Sequence, residues 1–302
     1  EKGENENLIR VENPGITPIQ LNRGAQSEFL KDILAEKPAE IRPEFVDYQN
    51  EIRTESVSGK KVSFVKNKYN SLAQIHYIFP FGSDHDKELA LSTQVLQYLG
   101  TSKYSPEALR QEFYKIGVTN DFKTSADQLM ISLTGLEENL EFGVKLLQHW
   151  LEDILPDQEV YQSYVQTILE SRDAAKKDKA RIMTALTNYA KFGKFSRFTD
   201  VISTERLQQI DVTELMQKMK SIFSYPYEIF FYGKNLEGFI NYAQPLIKPE
   251  TLEIPERNVY PEPDTAGKGY FTNYDMVQME MAKVAKAQNV NPENFGKINV
   301  FN

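Results

Sequence analysis

Residues 89–155 open with Leu89-Ala90-Leu91-Ser92-Thr93-Gln94-Val95-Leu96-Gln97-Tyr98-Leu99, which runs to Gly100-Thr101. They continue through Ser105-Pro106-Glu107 to Gly117, then through Val118 to Lys123 and Gln128 to Thr134, and close on a long run to Leu155. The first run has helical spacing and stops at its glycine. Ser105 before Pro106-Glu107 marks a second helix start: the hydroxyl caps free N–H groups, proline fits the first turn, and the acid faces the positive end of the dipole. Gly117 ends that helix. The next two pieces alternate as strands do. Leu140, Val144, Leu147 and Leu151 recur at three- and four-residue spacing, the buried stripe of an amphipathic helix. Helix, helix, strand, strand, helix predicts a compact α+β unit.

Working outward toward the N-terminus, Leu72 to Phe81 is the most strand-like piece of the chain and ends in Pro80-Phe81-Gly82. Leu72, Gln74, His76 and Ile78 alternate with Ala73, Ile75, Tyr77 and Phe79. Apolar groups stand on both faces, which predicts a central strand covered on both sides. Ile52 to Val57 and Lys61 to Lys66 form a hairpin about Ser58-Gly59-Lys60. Residues 1–48 read as a tether broken by Pro14, Pro18, Pro38 and Pro43, in which only Gln26 to Glu36 has helical character. A linker between domains is favoured there over a strap around one.

Toward the C-terminus, Pro156 with Asp157 and Glu159 predicts a helix start with proline at its first position. Val160, Tyr164, Val165, Ile168 and Leu169 form its buried face. The charged run Arg172 to Arg181 is a solvated face or a break, and Met183 to Phe192 resumes the helix. Ser203 caps a short helix, but Arg206 stands where a capping box needs Glu or Gln, so the reciprocal bond is missing. Asp211 starts a helix to Phe223, Tyr227 to Tyr232 is a buried strand, and Asn235 to Leu246 is helical. Residues 247–269 carry Pro249, Pro255, Pro261 and Pro263 and read as an inter-domain linker. Tyr270 to Tyr274 and Val277 to Ala285 read as the first strands of a following domain. The organisation expected is therefore a tether over 1–48, an α+β domain over 49–246, a proline-rich linker over 247–269 and an incomplete second domain over 270–302.

The chain has 302 residues, 40% hydrophobic and 12% aromatic, which suits a substantial core. Its net charge of -8 and the lack of any basic stripe argue against a nucleic-acid partner. With no cysteine, thiolate metal sites and cysteine nucleophiles are excluded. No apolar run approaches the ~18 residues that a membrane-spanning helix needs. The polar N-terminus has no signal-peptide character and reads like a cut inside a longer protein.

Three histidines are the only imidazoles. His76 lies within the central strand and reads as a satisfied residue of that strand. His85 falls in the polar loop Asp84-His85-Asp86-Lys87-Glu88, where loop solvation is favoured over a weak metal site built on His85 and Glu88. His149, beside Trp150, is expected to point outward. None pairs with another at i, i+4, and no glycine-rich phosphate loop or G-x-S-x-G elbow occurs.

The same block nevertheless resembles half of an inverted-zincin metallopeptidase of the insulinase/pitrilysin family. The family's catalytic half has a strand ending in Gly, a helix bearing H-x-x-E-H, then Gly-Thr. A helix, a Gly, and an Asn-rich strand followed by Thr-Ser-x-Asp come next. Here Phe81-Gly82-Ser83, Gly100-Thr101, and Gly117-Val118-Thr119-Asn120-Asp121-Phe122-Lys123-Thr124-Ser125-Ala126-Asp127 stand in that order, and Gly135-Leu136 with its following helix also fits. The likeness extends over roughly residues 50–245. Where H-x-x-E-H belongs, the helix reads Leu91-Ser92-Thr93-Gln94-Val95-Leu96-Gln97-Tyr98, without zinc histidines or the general-base Glu. Glu170 falls about where the family's downstream zinc-binding Glu would. Alone it cannot hold zinc, and it is at most a relic.

The resemblance implies helices packed on a mostly antiparallel sheet, and a non-catalytic C-terminal half of a zinc peptidase. No cofactor is expected in this chain; zinc is implied for a catalytic half on the same or another polypeptide. The two halves would enclose unfolded peptide as a clamshell, and Asn120, Asp121 and Phe122 are the expected peptide contacts. Residues 1–48 would be the hinge, and the family's substrate-gripping Arg and Tyr would fall beyond Asn302. The alternative is a free-standing, catalytically dead partner that binds extended peptides or scaffolds a complex. By resemblance to exported bacterial relatives, the compartment expected is the periplasm or cell envelope.

Overall fold

The structure is a computed structural model that describes residues 26–37, 42–43, 45, 47–261, 263–264, 267–274, 279–285, 293 and 295–296. The chain divides into two units, Glu1–Val46 and Asp47–Asn302. In the first, α1 (Glu28–Ala35) starts where the Ser27 hydroxyl accepts the Leu30 N–H. Its apolar stripe, Phe29, Leu30, Ile33 and Leu34, is exposed. Residues 1–25, 38–41, 44 and 46 of the tether expected over 1–48 lie outside the described residues.

The second unit begins with α2 (Tyr48–Glu51) and a hairpin of β1 (Ile52–Val57) and β2 (Lys60–Lys66). Ser58 and Gly59 both have positive φ at its tip, a twist that matches that of the flanking strands. Then come β3 (Leu72–Phe79), α3 (Lys87–Leu96), α4 (Pro106–Lys115), β4 (Val118–Thr124), β5 (Leu129–Leu136) and α5 (Leu140–Glu152). After them follow α6 (Gln158–Ala175), α7 (Lys179–Phe192), α8 (Thr204–Gln209), α9 (Val212–Lys220), β6 (Glu228–Gly233) and α10 (Leu236–Ala243). The six strands form one sheet in the order β1-β2-β6-β3-β5-β4. Only β2 and β6 pair in parallel, so the sheet is mostly antiparallel and the class is α+β.

Strand β3 is central, as its apolar run predicts, but only one of its faces is buried. Ala73, Ile75, Tyr77 and Phe79 are fully covered. They join Ile131 and Leu133 of β5, Phe231 of β6, Leu89 and Val95 of α3, Val144 and Leu147 of α5, and Phe239 of α10 in one core. Gln74, His76 and Ile78 stay half-exposed. The expectation of two covered faces is corrected here: this row has polar Gln74 and His76 among its members, and its neighbours across the ladder include Thr134, Ser132 and Glu228. A mixed face of that kind gains little from complete burial.

Several local expectations are refined. Asp157, not Pro156, caps α6, its carboxylate accepting the Glu159 and Val160 N–H groups, so the proline precedes the cap. The charged run breaks at residues 176–178, where Asp178 starts α7 by accepting the Arg181 N–H. Ser203 caps α8 through the Arg206 N–H, and the Arg206 side chain turns away to Glu88 at 2.7 Å. No strand forms among the described residues of 270–285. Tyr270, Tyr274 and their neighbours lie along α7 instead, Tyr270 edge-on to Tyr189 at 5.4 Å and the Tyr274 hydroxyl donating to the Lys177 carbonyl. Residues 275–278 lie outside the described residues. A strand needs a partner strand, and the apolar face of α7 offers packing without one.

The proline-rich stretch starts against the domain. Thr251 and Leu252 donate backbone N–H groups to the Ser224 carbonyl, and Asn258 donates its own to the Asp84 carbonyl at 2.8 Å. Lys60, 2% exposed, pairs with Glu250 at 2.6 Å and lies over the Tyr227 ring at 4.3 Å.

Candidate functional site

The helix whose position matters most is α3. The Asp86 carboxylate caps it by accepting the Glu88 and Leu89 N–H groups. Within the run Leu91 to Tyr98, the side chains of Leu91, Ser92, Thr93, Val95 and Leu96 are buried. Ser92 and Thr93 spend their hydroxyls on the Leu89 and Ala90 carbonyls. Gln94 and Gln97 remain outside. The Gln94 amide oxygen accepts the Tyr164 hydroxyl of α6 at 2.9 Å, and Tyr164 packs on Tyr98 at 5.3 Å. Aliphatic and amide side chains supply no zinc ligand set, so this helix does not fit the metal that the resemblance implies for a catalytic half. Glu170 is exposed on α6 and accepts the Gln166 amide at 2.9 Å, about one and two-thirds turns beyond Tyr164. Among the described residues, no three His, Cys, Asp or Glu side chains are grouped to hold a metal.

Each histidine has a structural partner. His76 bonds Ser132 at 2.8 Å and Gln74 at 3.3 Å on the half-exposed sheet face, and burial lowers its pKa. His85 accepts the Gly82 N–H through Nδ1, closing its own turn, while Glu88 is held by Arg206 and Lys218. The two therefore form no joint site. His149 was expected to face outward. It meets the Thr101 hydroxyl at 3.0 Å and the edge of Tyr104, which ties α5 to the Gly100-Thr101 turn.

The three expected peptide contacts lie on β4, the last strand of the sheet. An antiparallel strand points its backbone groups alternately toward one neighbour and then the other side. Ser125 donates to the Gln128 carbonyl, and the ladder continues in the register Lys123 to Met130 and Asp121 to Ser132. Asp121 thus spends its main-chain groups on β5, while Asn120 and Phe122 aim theirs at the open edge. Side chains divide the other way. Phe122 packs edge-on to Trp150 at 5.4 Å, Asn120 shares that face, and Asp121 stands exposed on the opposite one. The trio is adjacent without acting as a unit: two residues offer backbone and one offers a carboxylate.

A polar knot, built on the loop expected to be solvated, sits where β4 turns into β5. Asp84, 1% exposed, donates its N–H to the Ala126 carbonyl at 2.8 Å. Arg197 grips its carboxylate with both arms, Nε on Oδ1 at 2.7 Å and Nη2 on Oδ2 at 2.6 Å, and Arg257 adds a contact at 3.3 Å. Arg197 holds the Asp84 pKa below the ordinary carboxylate value despite burial. Beside it, Lys87 and the Tyr260 hydroxyl both bind Asp200, and burial together with that carboxylate pushes Tyr260 up to about 12. A carboxyl whose folded pKa is depressed stabilises the fold above its unfolded pKa of about 4, and that contribution is lost as pH falls through the folded value. Asp84→Asn is therefore expected to cost roughly 2 kcal/mol at pH 7. The difference from wild type should close as pH falls through the lowered carboxyl pKa of Asp84, in thermal unfolding followed across pH; a gap unchanged at low pH would show that the charge is not what matters.

Among solved structures, the fold matches a peptidase M16 inactive domain from Pseudomonas fluorescens, with TM-score 0.55 and 17% identity over 68% of this chain and 53% of that one. A protease from Helicobacter pylori matches with TM-score 0.54 and 13% identity, over 70% of this chain and 54% of that one. The periplasmic protease PqqL from Escherichia coli matches with TM-score 0.53 and 14% identity, over 80% of this chain and 30% of that one. This chain thus spans about half, or less, of the length of each. No protein-family model and no curated protein matches the sequence. The architecture, helices on one mostly antiparallel sheet, is that of an M16 peptidase domain.

Proposed function

We propose that this chain, which has the M16 peptidase-domain fold, is a non-catalytic half of a peptidase that walls a chamber and holds extended peptide along β4. The observation that carries it is the pairing of an α3 that lacks H-x-x-E-H with an open strand edge on the same unit. Leu91, Val95 and Leu96 are buried aliphatic groups in the run where the resemblance would put H-x-x-E-H, while Asn120 and Phe122 turn their backbone groups outward from β5. An extended peptide can add to such an edge through main-chain hydrogen bonds, which recognise unfolded chains with little regard to sequence. The exposed Asp121 and the chain's net charge of -8 would favour peptides carrying basic residues.

Zinc and the general base belong, on this reading, to a separate catalytic half, as a domain in the same polypeptide or as a partner chain. The periplasmic neighbour suggests the cell envelope as the compartment. Among the described residues no helix is long and apolar enough to cross a membrane.

The test is the fluorescence anisotropy of a labelled, unstructured 20-residue basic peptide titrated with the chain. Saturable binding is expected, weakened about tenfold by Asn120→Pro, which removes an outward N–H while sparing the bonds to β5. Circular dichroism melts should show nearly unchanged stability for that variant. Binding indifferent to the proline, or none at 100 μM protein (roughly the weak end of peptide capture), would overturn the edge-strand role.

A further inference from the structure

A cavity of about 650 Å³ opens beside the Asp84 knot, between the end of α7, the turn around Ser196 and the segment from Arg257 to Pro261. That is the size of a small-molecule site. Its apolar walls include Phe192, Phe198 and Tyr260, and Arg197 and Arg257 line it.

The arginines are more than Asp84 requires. One guanidinium fork already pairs both oxygens of a carboxylate, and Arg197 supplies that fork at 2.7 and 2.6 Å. Arg257 reaches Asp84 through a single Nη2 contact at 3.3 Å, and its side chain is 47% exposed. A guanidinium carries five N–H donors, and among the described residues Arg257 spends one on Asp84. The nearby acid Asp200 is already bound by Lys87 and Tyr260, while Asp127 adds a lesser pull on Arg197. Asp84, buried and fixed, holds the forks in place, and the rings alongside offer apolar contact.

We infer that this cavity is a binding site for a carboxylate carried on an aromatic or bulky apolar group, with Arg257 as the principal anion contact and Phe192, Phe198 and Tyr260 as the walls. A bare inorganic anion would leave those walls unused, and a neutral ligand would forgo the charge-assisted bonds that Arg257 offers. The inference does not depend on the role assigned to β4.

Isothermal titration of the 302-residue chain with N-acetyl-phenylalanine, its amide and inorganic phosphate tests this. The acid should bind saturably, the amide about tenfold more weakly or worse, and phosphate should not displace the acid. Arg257→Ala should lower acid affinity about tenfold, and Arg257→Lys, which keeps charge but loses the fork, by several-fold. Thermal melts of both variants establish that each is folded, and Arg257→Lys keeps the test informative if the alanine variant is not. Equal affinity for acid and amide, phosphate binding as tightly as the acid, or an Arg257→Lys variant indistinguishable from wild type would each overturn the assignment.

Discussion

Phe231→Ala is expected to remove about 3–5 kcal/mol of stability, the range for deleting a fully buried phenylalanine. Phe231 lies on β6, between β2 and β3, with no exposed surface. Its ring stacks on Phe239 of α10 at 4.3 Å and faces Phe64 of β2 at 5.7 Å. It also fills the space above Gly233, where an added methyl would come within 2.4 Å of it. Truncation leaves a void bounded by a helix and two strands that cannot close without moving the sheet. At about 2–4 °C per kcal/mol for a unit of this size, the melting temperature should fall by roughly 6–20 °C. Phe230→Ala, one residue away on the half-exposed face, is the comparison and should cost about 1 kcal/mol. Equal losses would mean that the two faces are not distinguished as described.

Gly82→Ala is expected to be nearly as damaging, by the opposite mechanism. A Cβ there would stand 2.3 Å from the Ser125 carbonyl oxygen, 2.7 Å from the Gln128 nitrogen and 2.9 Å from the Ala126 carbonyl carbon. All three are backbone, so no side chain can rotate out of the way. The methyl must push residues 82–84 off the β4–β5 turn, straining the bonds from Ser83 to Ser125 and from Asp84 to Ala126. Overpacking of this kind costs about 1–3 kcal/mol, and the shared hydrogen bonds place Gly82 at the upper end. Urea unfolding measures it. Because Asp84 moves with the same segment, Asp84→Asn should cost less in the Gly82→Ala background than in wild type, a coupling of about 0.5 kcal/mol or more. Gly269→Ala, with nothing within 4 Å of the added methyl, should stay within about 0.5 kcal/mol. Independent effects of Gly82 and Asp84 would show that the turn and the knot are not one structure.

Gly82 and Gly100 also explain why a resemblance carried by glycines was legible at all. A Cβ on Gly100 would meet the Tyr104 carbonyl oxygen at 2.3 Å, just as one on Gly82 meets Ser125. Such close backbone approaches leave no room for a Cβ, so both positions favour glycine for a local steric reason that can be read as a letter in the sequence.

Elements with period and caps of their own were readable from the chain alone. Ser105, Asp211 and Asn235 start α4, α9 and α10 as expected, and the spacing of Leu140, Val144 and Leu147 marks the buried side of α5. The absence of H-x-x-E-H from α3 was equally plain, since it depends only on which residues are present. What the chain could not disclose is anything fixed by partners far apart in sequence. The parallel insertion of β6 beside β2 joins residues near 63 to residues near 230. The outward aim of the Asn120 and Phe122 backbone depends on register with β5, and the exposure of one β3 face on what its neighbours place beside it. The loop Asp84-His85-Asp86-Lys87-Glu88 reads as solvated because its charges look unpaired locally. Their partners, Arg197, Arg257, Asp200, Arg206 and Lys218, arrive from more than a hundred residues away. Local periodicity and capping are written in adjacent residues; pairing across the sheet and burial of charge are long-range events that only the assembled core decides.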